Sequence, residues 1–283
     1  MIEEREWRER EAAHQARADA LTLARRERVQ RRETHPVEDF LFTYYPYRPS
    51  LLRRWHPGAE TLENAAHDER ASWKWYRAEG DDLAVDTEGL LRDRASSIQF
   101  ISSLLTATAA RPGNFGCFGL HEWAMAYKSD AQRHPVPLRL GSDGTDAVVE
   151  SARIACTHID AYRFFTPEAA PLNKLRPTRE NQPLMEQPGC LHANMDVYKW
   201  AIKLGPLVPG EILLDAFELA RDIRELDMRA SPYDLVDWGY PPVAIETEAG
   251  RAEYEAAQRR FSERSQELRA AIVAGLPVLT MSK

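Results

Sequence analysis

The sequence predicts an α+β chain with a long charged helix at the N-terminus, a mixed β region in the middle and a helical C-terminal half. Three observations carry that expectation. Residues 2 to 33 hold nine Arg and eight Asp/Glu with few large apolar side chains. Residues 113 to 165 are rich in glycine, aromatics and period-two alternation. Beyond Gly189, apolar residues recur at helical spacing. The chain has 283 residues, 43% hydrophobic and 29% charged, which is ordinary globular usage. That length suits one α+β body over 34–283 behind a separate helix over 1–33.

In the first segment opposite charges fall four apart, as in Glu4/Arg8 and Glu6/Arg10, which supports an exposed helix. Its large apolar residues, Ile2, Trp7, Leu21, Leu23 and Val29, make too thin a stripe for a core helix. The helix is therefore expected to extend from the body, or to lie along a partner or a second copy, and to be dispensable for folding. His35-Pro36 ends it, because the residue before proline is pushed out of the α region. The body begins at Phe40, followed by Leu41, Phe42, Tyr44, Tyr45 and Tyr47.

In the central region Gly116 and Gly119 interrupt an aromatic run, and Val136, Leu138 and Leu140 alternate. Ile154, Cys156, His158 and Asp160 share one face if their segment is a strand, and GSDGTD at 141–146 reads as a turn between strands. The stretch 166–189 holds five prolines and little periodicity, which predicts a long irregular loop suited to a site. Leu191, Met195, Tyr198 and Ile202 then form one helical stripe. Gly205-Pro206 and Pro209-Gly210 break it. A second helix is expected from about Glu211 to Arg229, with Ile212, Ala216, Leu219, Ile223 and Leu226 inward and most of its charges solvated or ion-paired. A last helix over about 247–274 spaces Tyr254, Phe261 and Leu268 seven apart.

Several functions are disfavoured. No stretch approaches the ~18 apolar residues of a membrane span, and the N-terminus is charged, so the protein is expected to be soluble and cytoplasmic. Cys117, Cys156 and Cys190 are odd in number and contain no CxxC pair, against a disulfide scaffold or a thiolate zinc finger. Lys+Arg 37 against Asp+Glu 44 gives a net charge of −7, which disfavours nonspecific duplex binding. GxSxG, GxxxxGK[ST], GxGxxG and HExxH are all missing.

The chemistry-bearing signal is three histidines beside carboxylates: His121-Glu122 in FGCFGLHEWAMAY, His158 and Asp160 in THIDAYRFF, and His192 with Asp196 in CLHANMDVYKW. On a helix His192 and Asp196 are i, i+4 neighbours. Imidazoles with carboxylates and no thiolate pair suit a divalent Zn²⁺, Fe²⁺ or Mn²⁺, and a 2-His-1-carboxylate set leaves positions for substrate. His121, Glu122, His158, Asp160 and His192 are therefore the candidate metal ligands. A second signal is RPSLLRRWHPG, where Arg53 and Arg54 stand among Tyr44, Tyr45 and Trp55, the mixture that holds phosphates and stacks bases.

Five blocks together, HPVEDFLFTYYPYRPSLLRRWHPG (35–58), FGCFGLHEWAMAY (115–127), HIDAYRFFTP (158–167), QPGCLHANMDVYKWA (187–201) and LDMRASPYDL (226–235), resemble an actinobacterial family usually labelled 3-methyladenine DNA glycosylase. The resemblance covers nearly everything after residue 34. It implies an N-glycosylic bond hydrolase acting on a modified purine in DNA or a nucleotide. Such chemistry needs aromatics to stack the base, a carboxylate beside the oxocarbenium-like sugar, and cations for phosphates. Tyr44, Tyr45, Trp123 and Tyr127 are the stacking candidates, Glu122 or Asp160 the carboxylate, and Arg53 and Arg54 the phosphate contacts. The helix-hairpin-helix alkylpurine glycosylases carry an LPGxG turn followed about one helix later by a catalytic aspartate. Here Leu207-Val208-Pro209-Gly210 is followed by Glu211, so the second glycine is missing, while Asp227 falls 17 residues after Gly210. The periodicity predicts an unbroken helix between them, where that fold has a break. The Cys/His zinc site of the bacterial 3-methyladenine glycosylases has no counterpart in the cysteine spacing. Three readings stand: a glycosylase, which the resemblance implies, a metal-dependent hydrolase or oxygenase with a His/carboxylate site, which the spacing of the residues supports, and a noncatalytic binding protein.

Overall fold

The structure is a computed structural model that describes residues 1–129 and 135–277. Helix α1 (Glu4–Arg31) opens the chain, and it does not stand away from the body. Trp7, His14, Ala18 and Thr22 are buried along it at spacings of 7, 4 and 4, and Ile2 is buried just before it. This seam is made mostly of small or polar residues, so a search for large apolar side chains misses it. Small residues let α1 approach a neighbouring helix closely. Beyond it come two single turns, α2 (Phe40–Thr43) and α3 (Pro49–Leu52). Trp7 Nε1 donates to Glu63 O at 3.0 Å. The Arg70 guanidinium is fully buried among the rings of Trp7, Trp55 and Trp73, and ion-paired with Glu11 and with Asp68 at 2.6 Å.

The described β structure is a hairpin of β1 (Tyr76–Glu79) and β2 (Asp82–Val85), which pair antiparallel from Tyr76↔Val85 to Glu79↔Asp82. Gly80, at φ +67°, allows the two-residue turn between them. Helix α4 (Thr87–Ala109) follows, its first turn capped by Asp86, whose Oδ1 accepts from the Gly89 N–H at 3.0 Å.

The expected mixed β region does not form among the described residues of 113–165. That stretch instead folds into α5 (Leu120–Ala126), α6 (Gly141–Ser151) and the single turn α7 (Ile159–Tyr162). GSDGTD is the start of α6 rather than a turn, with Thr145 Oγ1 bonded back to Gly141 O at 2.7 Å. Leu138 makes one isolated bridge to Tyr233. His158 is the N-cap of α7 and Asp160 lies in its first turn, so they do not share a strand face. Alternation was misleading here because α5 is buried on nearly all sides, and a short helix without an exposed face has no helical period to read.

The proline-rich stretch holds the single turn α8 (Gln182–Met185) and much irregular chain, as expected. The last three helices match the sequence closely: α9 (Leu191–Leu204), α10 (Gly210–Arg229) and α11 (Glu248–Ala274). Helices α9, α10 and α11 pack on one another; α4 covers α11, and α1 runs along α10. The charges of α10 that face α1 are paired across the gap, Glu211 with Arg10 at 3.0 Å, Asp215 with Arg17 at 2.7 Å and Glu218 with Arg17 at 2.9 Å. A Cβ on Gly210 would lie 2.6 Å from Trp55 Cδ1 and 2.8 Å from His14 Nδ1, so only glycine lets α10 start against these two rings. Among the described residues, no helix is long and apolar enough to cross a membrane.

Two outcomes follow from this packing. Trp7→Ala should cost about 3–5 kcal/mol in chemical denaturation, since it empties a buried site and uncovers the Arg70 pair, and removing residues 1–33 should abolish cooperative unfolding. The second concerns pH. Burial, reinforced by Arg70 and Arg54, pulls His56 down to about 3. The folded state then refuses a proton that the unfolded chain accepts below its ordinary value near 6.5. Stability should be full above pH ~6.5 and fall as the pH drops toward 3; a melting temperature measured across that range should fall less steeply in His56→Gln.

Candidate functional site

Helix α9 is buried along nearly its whole length, including its polar residues His192, Asn194 and Asp196. Asn194 is satisfied structurally by Ser265 and Arg269, both at 2.8 Å. His192 and Asp196, one turn apart, each head a cluster.

In the first cluster His121 of α5 meets His192 ring to ring at 4.4 Å and 86°, and His121 Nε2 lies 2.8 Å from Asp227 Oδ1 of α10. In the second, His158 Nε2 lies 3.2 Å from Glu186 Oε1 and 3.4 Å from Asp196 Oδ2. One ligand atom from each of His121, His192 and Asp227 falls within 4.8 Å of the others, and the same holds for His158, Glu186 and Asp196. The His158 and His192 rings are 5.5 Å apart, so the clusters adjoin. Short distances do not make hydrogen bonds here: His121 Nε2, Asp227 Oδ1 and both ring nitrogens of His158 have no partner in hydrogen-bonding geometry. Donors and acceptors approach one another without pointing at one another.

The charges around these clusters are strongly coupled. Burial alone would raise Asp196, but Lys199 and His158 outweigh it and hold the carboxyl well below the usual range. Burial likewise opposes ionisation of Asp227, and His121 and Arg224 overcome it. His158, buried against two carboxylates, is pushed up to about 9. His192 goes the other way, held neutral by burial and by His121 beside it. The second cluster therefore favours a protonated His158 between Glu186 and Asp196, with Lys199 on Asp196 beside it. Burial pushes the Cys156 thiol up to about 12 and raises Cys117 and Cys190 as well, so none of the three is a ready thiolate.

Two cavities touch this buried core. One, of about 20 Å³, is lined by His121 and His192 with the three cysteines, and has room for about one water-sized molecule. The other, of about 800 Å³, has Tyr45, Lys199 and Asp160 in its wall. Tyr45 Oη donates to Asp196 Oδ1 at 2.5 Å, and Lys199 Nζ to Asp196 Oδ2 at 2.6 Å. The wall of the large cavity is thus bonded to the second cluster.

No family model, curated protein or solved structure matches the chain.

The sequence-derived candidates divide accordingly. His121, His158 and His192 converge, and Asp227 joins them although it was singled out on other grounds. Tyr44, Tyr45 and Asp160 share the large cavity. Asp160 belongs to neither histidine cluster; it is paired with Arg179, with Arg163 at 3.2 Å and with Lys199 at 3.3 Å. Glu122 pairs with Arg224 at 2.9 Å, which also holds Asp227 at 2.9 Å. Trp123 is fully buried with its N–H on Ala230 O at 2.8 Å, and Tyr127 bonds Glu150 at 2.9 Å. Arg53 pairs with Asp19 at 3.1 Å, and Arg54 lies over Trp73 at 4.9 Å. Glu186 had no sequence signal, sitting in irregular chain next to α8. Lys199 had one: it is i+3 from Asp196 on the same helix.

Arg224 tests the first cluster. Arg224→Met leaves Glu122 buried without its counter-charge and Asp227 with His121 alone, and should cost about 3–5 kcal/mol in urea denaturation, part of which Glu122→Gln in the same chain should restore.

Proposed function

We propose that the protein is a metal-dependent enzyme of the oxygenase class, with His121, His192 and Asp227 holding Fe²⁺ and His158, Glu186 and Asp196 forming a second ligand set beside it. The observation that carries this reading is the misdirection of the close pairs. A histidine nitrogen 2.8 Å from a carboxylate oxygen, with neither atom in hydrogen-bonding geometry, suits two ligands aimed at a common third point better than it suits an ion pair. Two histidines and one carboxylate are the ligand set of non-haem iron oxygenases, in which the iron keeps open positions for dioxygen and substrate.

The chain's own residues supply the rest. His192 is held neutral, as a ligand must be, while His121, raised against burial by Asp227 beside it, would give up its proton in exchange for the metal. Arg224 offsets the charge of Asp227 from behind. The small cavity on His121 and His192 suits a molecule no larger than water or dioxygen. Tyr45 holds Asp196 Oδ1 and Lys199 holds Oδ2, and hydrogen bonds of this kind orient a ligand carboxylate.

Protein purified without chelator should contain close to stoichiometric transition metal by elemental analysis. His192→Ala and Asp227→Asn should lose it while keeping their helical circular dichroism, and occupancy should fall as pH drops below ~6.5, where free imidazole takes up protons. Iron in the wild type supports the oxygenase, zinc would make the protein a hydrolase, and metal-free protein, or variants that keep their metal, would sink the reading.

The glycosylase reading is favoured by one observation, that Tyr44, Tyr45 and Asp160 line one cavity. Against it, Asp160 is already paired with three cations, which weakens the charge it could offer an oxocarbenium-like sugar. Release of free base from alkylated DNA or a modified nucleoside, lost in Asp160→Asn, would decide for it.

A further inference from the structure

The large cavity has a chemistry of its own. In a chain of net charge −7, its lining carries five cations, Arg94, Arg163, Arg179, Lys199 and Lys203, against the carboxylate of Asp160. Asp160 takes up Arg163, Arg179 and Lys199, and Lys199 also serves Asp196. Arg94 and Lys203 have no carboxylate partner among the described residues. Lys203 is held below the ordinary lysine value by partial burial and by the charges of Lys199, Arg94 and Arg179 facing it. Like charges gathered in a concavity oppose one another, and an anion bound among them relieves that opposition.

The same lining presents aromatic faces. Phe100 is 39% exposed and meets Trp200 edge to face at 6.1 Å. Tyr44, half-buried, lines the cavity as well. The Lys199 and Lys203 ammonium groups lie 4.4 and 5.4 Å from the centre of the Trp200 ring, so cations and rings are interleaved rather than segregated. A volume of about 800 Å³ suits one small organic molecule.

We propose that this cavity binds a nucleoside monophosphate, its phosphate held by Arg94 and Lys203 and its base stacked on Phe100 and Tyr44. Phosphate alone would leave the exposed aromatic faces uncovered, and an uncharged ring would leave Arg94 and Lys203, which lie over Trp75 at 5.6 Å and Trp200 at 5.4 Å, without an anion. Only a ligand with both parts uses the whole lining. Guanidinium recognises phosphate through paired N–H donors, and a planar base covers a ring without needing a particular sequence of hydrogen bonds. Arg163 and Arg179, tied to Asp160, line the cavity beside them.

This site goes beyond the metal reading and does not depend on it. Its wall, Tyr45 and Lys199, is bonded to Asp196, which would set a ligand in the cavity one side chain away from the second histidine cluster.

The probe is AMP, titrated calorimetrically at low salt into the full chain, as purified and again after chelator treatment, with adenosine and inorganic phosphate as its two halves. AMP should bind at least about tenfold more tightly than either half. Arg94→Ala and Lys203→Ala should each weaken AMP about tenfold and flatten its salt dependence, as the loss of one phosphate contact does. Phe100→Ala should weaken AMP while leaving phosphate unchanged. All three residues are partly or fully exposed, so melting temperatures should stay at the wild-type value, which separates lost binding from lost fold. A short 5′-phosphorylated single strand distinguishes the source of the nucleotide: binding tighter than AMP identifies a strand end, equal or weaker binding the free nucleotide, and either keeps the site. AMP that binds no better than phosphate, or cavity variants that bind AMP like the wild type, overturn it. Chelator-treated protein that still binds AMP keeps this proposal even if the metal analysis fails.

Discussion

Helix α9 carries ionisable side chains into the middle of a helical bundle, and the surrounding structure compensates them. Asp196 is surrounded by Tyr45 from the N-terminal part of the chain, Lys199 on its own helix and His158 from α7. Asp227 is met by His121 and Arg224. A buried carboxylate without partners would give up its charge. Three segments far apart in sequence must therefore close around α9 together.

That requirement explains features that look unrelated. The proline-rich stretch 166–189 is irregular, yet it delivers Glu186 to His158 and Arg179 to Asp160, which a regular element at that place would not do with the same backbone. The segment after α1 is short and broken into single turns, and one of its tyrosines reaches the core while its neighbour lines the large cavity. Helix α1, charged as it is, closes the opposite side by lining up small residues against α10 and by supplying Trp7 to the ring cage around Arg70.

The two cavities then differ for a physical reason. The small one abuts His121, His192 and three protonated thiols and admits little. The large one lies where the cations that neutralise Asp160 and Asp196 come to the surface, and its positive charge is the outer side of the same compensation. Lys199 belongs to both, one ammonium shared between the buried carboxylate and the cavity wall.

What the sequence determined by itself was the helical C-terminal half, the break at Gly205–Gly210, the irregular stretch before Gly189 and the placing of histidines near acids. Those are local: period 3.6, glycine, proline and the pairing of histidines with acids are visible within a few residues. The hairpin at 76–85, the helical nature of 113–165 and the burial of α1 were decided by tertiary packing. Short, fully buried or small-residue helices leave no amphipathic pattern to read. The site divided in the same way. His192 with Asp196 was legible as a helical i, i+4 pair, but that His121, His158 and Asp227 meet it, that Glu186 joins them, and that Asp160 is instead taken up by Arg163, Arg179 and Lys199 depends on contacts between segments tens of residues apart. Only the folded chain brings those partners within hydrogen-bonding reach, and so only the fold distinguishes a candidate ligand from a satisfied ion pair.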